Sequence, residues 1–445
     1  MSPNVQVWFT SEDAEQHRLS RQPDLVATPV SVAPAEAARL DPSQRYQSIL
    51  GMGSSFEEAS VYHLMRMAPE LRRRVLRDLV HPQEGIGWNL MRICFGASDF
   101  TSAPYYSYDD MPPGQKDPEL AHFSIQKDID LHILEVLHEA LAINPELRFF
   151  ASPWSPPGWM KSNDSMCGGH LLPGYYATAA RYYRMAIQAY QEQGIPIHAF
   201  TLQNEPMFPH PGYPTCYYSW EDQRRLLLEV REEFDRHNLE TEIWIFDHNF
   251  AEAMTVPGRI LGDPKGYAAT DGVAFHDYEG EPSEMGALHR DYPDKPVYMT
   301  EHSTWGTRGI ERILQYLRND SRSYSAWVTC LNDVQEPNPG PHSCSPTIVT
   351  VSRLDPNEVW YIPEYYMLGQ ITRFVRAGAR RIACDPGSPA TLTQAAFQNP
   401  DGEMVAIVVN QTQEARACIL AWPGWLVRAA IPAKTVATLA WGGGA

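Results

Sequence analysis

The sequence predicts an α/β protein in which a (β/α)8 TIM barrel carries an all-β side domain. Between residues 46 and 348, short apolar segments alternate with amphipathic ones, which indicates repeated strand–helix units. Two of the apolar segments end in a glutamate, and these residues, Glu205 and Glu301, lie 96 positions apart. Because such a barrel repeats every ~31 residues, this spacing places the two glutamates three strands apart at one rim. After residue 349 the pattern changes to closely spaced alternating strands.

The barrel strands are predicted from short apolar runs that end at a polar residue, a glycine or a proline. The fourth contains Phe200 and Leu202, and Pro206 prevents it from continuing as a central strand. Glu205 then ends the fourth strand and Glu301 the seventh. The predicted strands cover residues 48–53, 87–95, 148–153, 199–205, 242–247, 272–276, 296–301 and 325–330.

The helices between these strands are predicted from apolar residues three or four positions apart. Leu71, Val75 and Leu79 share one face of the first helix, and Gly194 ends the third. Ser124 is the expected cap of a long second helix. The predicted helices cover residues 69–80, 124–143, 175–193, 221–237, 282–291 and 309–318.

The two ends of the chain are predicted to form the side domain together. Residues 5–10 alternate as a strand, and residues 24–43, rich in proline and alanine, are expected to be a connector. Near the C-terminus, strands are predicted at 391–398, 404–410 and 419–422, with Asp401-Gly402 as a hairpin turn. We therefore assign residues 1–45 to the side domain, 46–348 to a catalytic barrel and 349–445 to a C-terminal β-sandwich.

Composition and charge exclude several classes of protein. A net charge of −18 argues against nucleic acid and anionic membrane surfaces as partners, and favours a neutral substrate. The seven cysteines are scattered, so neither a zinc knuckle nor a disulfide framework is predicted. No signal peptide and no membrane-spanning run is visible, so we expect no membrane insertion and a cytoplasmic protein, or a secreted one if a leader has been removed.

Two glutamates facing each other across a barrel mouth suit glycoside hydrolysis. In a retaining enzyme one carboxyl protonates the leaving oxygen and the other attacks the sugar, with the two groups about 5–5.5 Å apart. Glu205 is the expected acid/base, Glu301 the nucleophile, and Asn204 a ligand of the sugar 2-hydroxyl. Arg92, at a strand end, either keeps Glu301 ionised or forms an ordinary rim ion pair. Taken alone, the Asn204-Glu205-Pro206 run favours a turn in which Glu205 is merely solvated.

Aromatic residues near the predicted strand ends are the second indication of a sugar site. Sugar rings stack on flat aromatic side chains, although any one of these residues alone would more often belong to the core. Asp99 follows the second strand and is either an acceptor for sugar hydroxyls or a turn residue. The aromatic candidates are Trp154, Trp159, Tyr213, Tyr278, Trp305 and Trp327.

The motifs of the chain, taken in order, resemble glycoside hydrolase family 30, which contains acid β-glucosidase (glucosylceramidase). The most specific of them is the run 151–161, Ala-Ser-Pro-Trp-Ser-Pro-Pro-Gly-Trp-Met-Lys. Matching segments around it include Gly51-Met52-Gly53-Ser54-Ser55, Gly85 to Arg92, Ala97-Ser98-Asp99-Phe100, Asn204-Glu205-Pro206, Phe275-His276-Asp277-Tyr278, Thr300-Glu301 and Pro363 to Gln370. Residues 329–332, Thr-Cys-Leu-Asn, depart from the Asp-Trp-Asn run that is frequent on the family's eighth strand.

The resemblance implies a barrel with a β-sandwich, retention of configuration, no cofactor and a β-linked sugar or glycolipid substrate. Together with the residue-level argument, it favours a retaining β-glucosidase similar to glucosylceramidase, with Glu205 and Glu301 as the catalytic pair. An apolar lip for a lipid could come from Met207, Phe208, Tyr213, Tyr217 and Tyr218. The expected substrate-binding residues are Asp99, Trp154, Asn204, Tyr278, Trp327, Arg92, His276 and Trp305.

Other functions remain open from the sequence. Within the same family, the chain could be an endo-β-1,6-glucanase or a β-xylosidase. Outside it, a sugar-binding protein without catalysis is possible, as is a metal-dependent barrel hydrolase. The residues that such a metal would require are His248, His276, His302, Asp247 and Asp277, each near a predicted strand end.

Overall fold

The N-terminal residues form strands of the side domain, as predicted, but they supply more of it than expected. The computed structural model describes residues 2–13, 15–303, 305–342 and 347–442. Its first strands are β1 (Asn4–Ser11), β2 (Ser20–Val26), β3 (Thr28–Pro29) and β4 (Ala38–Ser48). The prediction of a connector over 24–43 was therefore wrong. Strand β4 is mostly exposed and so lacks an apolar period; pairing with distant strands forms it.

The (β/α)8 barrel is confirmed. Its strands are β5 (Gly51–Gly53), β6 (Leu90–Phe95), β7 (Arg148–Pro153), β8 (Ile197–Thr201), β9 (Glu242–Asn249), β10 (Gly272–His276), β11 (Val297–Glu301) and β12 (Ser323–Ser325). Strands β6 to β11 form one parallel sheet in chain order, and β5 pairs with β12. Backbone hydrogen bonds from Asn89 to Met52 (3.0 Å) and from Arg322 to Val297 (2.9 Å) close the cylinder on both sides of that pair.

The six predicted barrel helices are present, one of them interrupted, and α1, α7 and α8 are helices that the sequence analysis did not predict. They are α1 (Glu58–Arg66), α2 (Pro69–Val80), α3 (Gln126–Asp130), α4 (Ile133–Ile143), α5 (Tyr176–Glu192), α6 (Trp220–Arg236), α7 (Pro257–Gly262), α8 (Pro264–Ala269), α9 (Pro282–Asp291) and α10 (Gly306–Arg318). The single helix predicted over 124–143 was wrong, because His132 adopts a left-handed φ of 62° and separates α3 from α4. Short 3-10 turns occur at Gly158–Met160, Pro173–Tyr175 and Phe250–Glu252.

The segment after the barrel differs from the prediction for the eighth strand. Strand β12 ends at Ser325, and Cys330 begins a separate strand, so the predicted strand over 325–330 was wrong. That strand, β13 (Cys330–Asn332), pairs with β14 (Val349–Val351), which pairs with β15 (Val359–Tyr361). The chain then forms α11 (Pro363–Thr372), β16 (Arg380–Cys384), β17 (Thr393–Gln398), β18 (Met404–Asn410), β19 (Arg416–Trp422), β20 (Trp425–Ile431) and β21 (Thr435–Trp441).

The side domain is a β-sandwich built from both ends of the chain. Its strand order is β2-β1-β21-β18-β17-β16-β4-β19-β20-β3. Strand β18 is buried on both faces: Val405 and Ile407 belong to the same apolar cluster as the barrel core, whereas Ala406 and Val408 belong to the sandwich interior. The two domains therefore share a continuous apolar contact.

Two further features concern the chain as a whole. No described helix combines the length and the apolar composition needed to span a bilayer. The six cysteines in the part of the chain that the structure describes are all free, and Cys344 lies outside the described residues.

Candidate active site

A cavity of about 400 Å³ opens at the carboxyl ends of the barrel strands. Polar and aromatic side chains line it together, as in sites that bind sugars. Glu205 and Glu301 both face it. The full lining is Asp99, Phe100, Trp154, Asn204, Glu205, Phe208, Tyr213, His248, Asn249, Tyr278, Glu301, Ser303, Trp327 and His342.

The two glutamates reach the cavity in different ways. Glu301 is the last residue of β11, as predicted from the sequence. Glu205 lies beyond the end of β8, in the following loop, and has a left-handed φ of 45°. Its amide donates to the carbonyl of Asp247 at 3.0 Å, which holds this sharp turn in place. One carboxylate oxygen of each glutamate and a ring nitrogen of His276 lie within 4.8 Å of one another.

Glu301 is held by two donors on opposite sides. The guanidinium Nη1 of Arg92 donates to Oε2, and the hydroxyl of Tyr278 donates to Oε1 at 2.8 Å. Arg92 is completely buried and also donates to Asn204 Oδ1 at 2.8 Å. Burial alone would lower the pKa of Arg92, but the carboxylates of Asp247 and Glu301 raise it above its ordinary value. Arg92 is therefore a buried cation inside the barrel and not part of an exposed rim ion pair.

His276, at the end of β10, contacts the carboxylates of both Glu205 and Asp247. Its Nδ1 lies 3.2 Å from Glu205 Oε1, and its Nε2 lies 3.1 Å from Asp247 Oδ1. Burial alone would lower the pKa of His276, but the carboxylates of Glu301 and Asp247 raise it to about 10. The protonated ring donates from both nitrogens and so retains no lone pair for a metal.

The structure does not gather the remaining residues that a metal-dependent hydrolase would need. Asp277 accepts from Arg312 Nε at 2.6 Å and from the hydroxyl of Tyr316, so its carboxylate is already paired. Burial lowers the pKa of His248 to about 3, and the ring centres of His248 and His276 are 6.5 Å apart.

Asp247 is the main residue whose role sequence reasoning missed, since it was considered only as a metal ligand. Its carboxylate is completely buried below the cavity. It accepts hydrogen bonds from Thr300 Oγ1 (2.6 Å), Thr201 Oγ1 (2.7 Å), Arg92 Nη2 (2.9 Å) and Ser152 Oγ (3.1 Å). Although burial opposes its charge, the Arg92 guanidinium holds the pKa of this carboxyl well below its usual range.

A β-bulge places Asp247 in this position. Phe246 pairs with Ala274 and His248 with Phe275, so Asp247 is the extra residue between two pairs. Its φ is 59°, in the left-handed region. An Asp that ends an apolar strand was the only sequence signal available, and bulges are not visible in a local apolar pattern.

Two tryptophans form a stacked pair at the cavity wall. The rings of Trp154 and Trp327 lie 4.9 Å apart at an interplanar angle of 21°. The Arg92 guanidinium carbon lies 4.6 Å from the centre of the Trp154 ring. Of the other aromatic candidates, Trp159 is buried in the barrel core and Trp305 precedes α10 with 53% of its surface exposed; neither lines the cavity.

Asp99 lines the cavity, and one oxygen of its carboxylate has no partner in the part of the chain that the structure describes. Its Oδ1 is buried and accepts no hydrogen bond from any described residue. Burial, reinforced by the charge of Glu301, raises the pKa of Asp99 well above its ordinary value.

An aromatic group that includes two histidines contributes Phe208, Tyr213 and His342 to the cavity lining. Its rings are those of Phe208, His210, Tyr213 and His342. Tyr213 stacks on His210 at 5.0 Å, and His342 packs edge-on against Tyr213 at 5.6 Å. Phe208 and Tyr213 had been expected to form an apolar lip, but the contribution of His342, from a distant loop, had no signal in the sequence.

Comparison with known proteins agrees with this architecture. The glycosyl hydrolase family 30 TIM-barrel domain matches residues 49–335, and the family's β-sandwich domain matches residues 378–439. An endo-1,6-β-D-glucanase of Trichoderma harzianum is 30% identical over 397 residues, covering 83% of this chain and 79% of that protein. A lysosomal acid glucosylceramidase of Mus musculus is 25% identical over 410 residues, covering 84% and 77%. A solved endo-β1,6-glucanase superposes with a TM-score of 0.88 and 27% identity over 99% of both chains. The chain therefore belongs to glycosyl hydrolase family 30 and is a glycoside hydrolase.

Proposed function

We propose that this enzyme is a retaining β-glycoside hydrolase in which Glu301 is the nucleophile and Glu205 the acid/base. The observation that carries the proposal is the approach of their carboxylate oxygens to within 4.8 Å across one cavity. Such a separation suits direct attack, whereas inverting enzymes keep their carboxyl groups roughly 6.5–9.5 Å apart to admit a water molecule. In the first step Glu301 bonds to the anomeric carbon while Glu205 protonates the leaving oxygen. Water, deprotonated by Glu205, then releases the sugar from Glu301.

The neighbouring side chains support this division of roles. Arg92 and Tyr278 each donate to one oxygen of Glu301, and these two hydrogen bonds fix the orientation of the carboxylate that attacks the sugar. The ring of His276 contacts Glu205 at 3.2 Å and orients it toward the space in front of Glu301. Asp99, Trp154 and Trp327 surround this space and suit a bound sugar ring.

The proposed substrate is β-1,6-linked glucan. The relative at 30% identity and the solved structure at 27% identity both carry the name endo-1,6-β-glucanase, whereas the Mus musculus glucosylceramidase is 25% identical. The alternative hypothesis of an endo-β-1,6-glucanase is thus better supported than the glucosylceramidase-like β-glucosidase that the sequence analysis favoured. Glucosylceramide is the second candidate substrate because of the similarity to the Mus musculus glucosylceramidase. A β-xyloside is a less well supported candidate.

The test is a substrate panel assayed with the wild type and Glu301→Gln in parallel. It contains β-1,6-glucan, gentiobiose, β-1,3-glucan, β-xylan, glucosylceramide and 4-nitrophenyl β-glucoside. We expect oligosaccharides to appear before glucose from β-1,6-glucan, with the β-anomer as the first product by NMR. An α-anomer would contradict retention, and cleavage of glucosylceramide alone would contradict the proposed substrate.

Glu301→Gln should leave less than about 1% of the activity, since loss of a nucleophile costs several orders of magnitude. The matched control is Glu233→Gln. Glu233 is a buried residue of α6 that does not line the cavity, and its Oε1 lies 3.0 Å from Arg184 Nε. This control should retain full activity.

Glu205→Ala should impair cleavage of β-1,6-glucan far more than cleavage of the 4-nitrophenyl glucoside, because 4-nitrophenol departs without protonation. An equal loss on both substrates would contradict the role of Glu205 as the acid.

A further inference from the structure

A second cluster of potential ligands lies outside the catalytic cavity, in the long segment between β6 and α3. It consists of Asp109, Asp117 and His122. One carboxylate oxygen from each aspartate and one ring nitrogen of the histidine lie within 4.8 Å of one another. None of the three lines the catalytic cavity, and the proposed hydrolysis uses none of them.

Asp109 is the member of the cluster that requires an explanation. Only 1% of its surface is exposed, and neither carboxylate oxygen accepts a hydrogen bond from any described residue. An ionised carboxylate that has lost its water without gaining a donor is strongly unfavourable, so a cation is the partner that its surroundings lack.

Asp117 and His122 provide the other side of the cluster. Asp117 is 7% exposed, and its Oδ2 accepts from the amide of His122 at 2.8 Å and contacts the ring Nδ1 at 2.9 Å. The His122 side chain is 67% exposed, so its ring can turn without disturbing the core. The cluster thus combines two nearly buried carboxylates with one adjustable imidazole.

We propose that Asp109, Asp117 and His122 bind a divalent transition-metal ion of the Zn²⁺ type. Imidazole nitrogen together with carboxylate oxygen is a donor set that suits Zn²⁺, whereas Ca²⁺ and Mg²⁺ prefer oxygen ligands alone. Two carboxylates neutralise the charge of the ion, and water completes four-coordination. Ligand atoms around Zn²⁺ lie roughly 3.3 Å apart. Asp117 Oδ2 and His122 Nδ1 lie 2.9 Å apart, and rotation of the exposed ring can adjust the position of the nitrogen.

The position of the cluster indicates what a bound ion would do. The carbonyl of Asp109 accepts from Trp159 Nε1 at 2.9 Å, which joins this segment to the loop after β7. The same segment begins with Asp99, which lines the catalytic cavity. An ion at the cluster would therefore fasten a long loop over the barrel, and would stabilise the folded state in proportion to its binding.

The test uses the full chain, stripped with a chelator and then titrated with Zn²⁺ by calorimetry, with bound metal measured after dialysis. We expect one Zn²⁺ per chain in the wild type. Asp109→Asn should abolish this binding, and His122→Ala should weaken it at least tenfold, roughly the loss expected when a metal site is disturbed. His170→Ala, which removes another exposed histidine, is the matched control and should bind as the wild type does.

Thermal unfolding provides an independent readout. Zn²⁺ should raise the melting temperature of the wild type but not that of Asp109→Asn. Without metal, Asp109→Asn should be at least as stable as the wild type, because it removes an uncompensated buried charge. If Asp109→Asn does not fold, His122→Ala, altered only at an exposed ring, decides the question.

Three results would overturn the proposal. The first is an absence of stoichiometric Zn²⁺ binding by the wild type. The second is unchanged binding in both Asp109→Asn and His122→Ala. The third is loss of binding in Glu301→Gln, which would move the metal to the catalytic cavity; retention there supports the separate site, whatever the outcome of the activity assays.

Discussion

The carboxylate of Asp247, buried beneath the cavity, organises the side chains that we propose to be catalytic without lining the cavity itself. It binds Arg92 and His276, which in turn contact Glu301 and Glu205. Arg92, His276 and several hydroxyl donors compensate the charge of Asp247. The side chains of Glu205 and Glu301 therefore depend on Asp247 although neither of them contacts its carboxylate.

Thr300→Val should reduce the free energy of unfolding by about 1.5–3 kcal/mol, because it removes a hydrogen bond to a buried charged group. The bond in question joins Thr300 Oγ1 to Asp247 Oδ1 at 2.6 Å. Urea unfolding measures the change. Thr300→Ser keeps the hydroxyl and is the control; equal destabilisation by both substitutions would show that packing, and not this bond, matters.

The charge on His276 predicts how stability depends on pH. The folded protein holds this proton up to about pH 10, whereas the unfolded chain releases it near 6.5. Between these values the unfolded state binds fewer protons, so this group's stabilisation is complete below about 6.5 and is lost as the pH rises toward 10.

Urea unfolding across this pH interval should therefore show a steeper decline for the wild type than for His276→Gln. The difference between the two curves isolates His276. Burial lowers the pKa of Lys161 from 10.5 to about 8, so Lys161 contributes a rise in stability with pH between those values in both proteins. Parallel curves would contradict a protonated His276.

Among the individual elements, the interruption between α3 and α4 shows that the backbone conformation of one residue can divide a segment predicted as a single helix. His132 adopts a left-handed φ of 62° between the end of α3 and the start of α4. Ile129, in α3, is 38% exposed although it is apolar. A left-handed conformation at a residue with a Cβ is strained, and glycine adopts it freely.

His132→Gly should therefore raise the free energy of unfolding by about 0.5–1 kcal/mol. The exposed contact of His132 with Glu135 that it removes contributes little. Ala142→Gly, at an exposed helical position of α4, is the control and should lower stability by about 0.5–1 kcal/mol. A loss of stability in both variants would contradict the interruption at His132.

At the scale of the whole molecule, α11 joins the sandwich to the barrel as β18 does, because its Leu368 and Ile371 belong to the same apolar cluster as the barrel core while its Gln370 binds strands of the sandwich. Gln370 on α11 donates to Thr10 Oγ1 of β1 at 2.8 Å. The hydroxyl of Thr438 on β21 lies 2.6 Å from both the carbonyl and the side-chain oxygen of Gln370. Because one helix bridges strands from both ends of the chain, we expect the two domains to unfold together.

Thr438→Val should lower the free energy of unfolding by about 1–3 kcal/mol, since it leaves buried acceptors unsatisfied. The urea midpoints for loss of circular dichroism and loss of activity should shift together, while kcat/KM of the folded enzyme stays unchanged. Thr28→Val, at an exposed residue of the same domain, is the control and should change stability by less than about 0.5 kcal/mol. Separate midpoints would show that the domains unfold independently.

The amino-acid pattern was enough to predict the barrel fold, the resemblance to the family, and the place of Glu205 and Glu301 at the carboxyl ends of the fourth and seventh strands. These features are local: apolar periods identify strands and helices, and short motifs such as Asn204-Glu205-Pro206 keep their order along the chain. The predicted bounds of β7, β10, α2 and α9 agree with the structure for this reason.

The contacts between distant side chains could be obtained from the three-dimensional structure alone. It buried Arg92 and brought Asp247 to it through a bulge, and it kept Trp305 out of the cavity lining. It also formed β4 from a polar segment by pairing it with β16 and β19. Such contacts join residues far apart in the chain, and their free energy depends on burial and pairing that no local pattern of amino acids records.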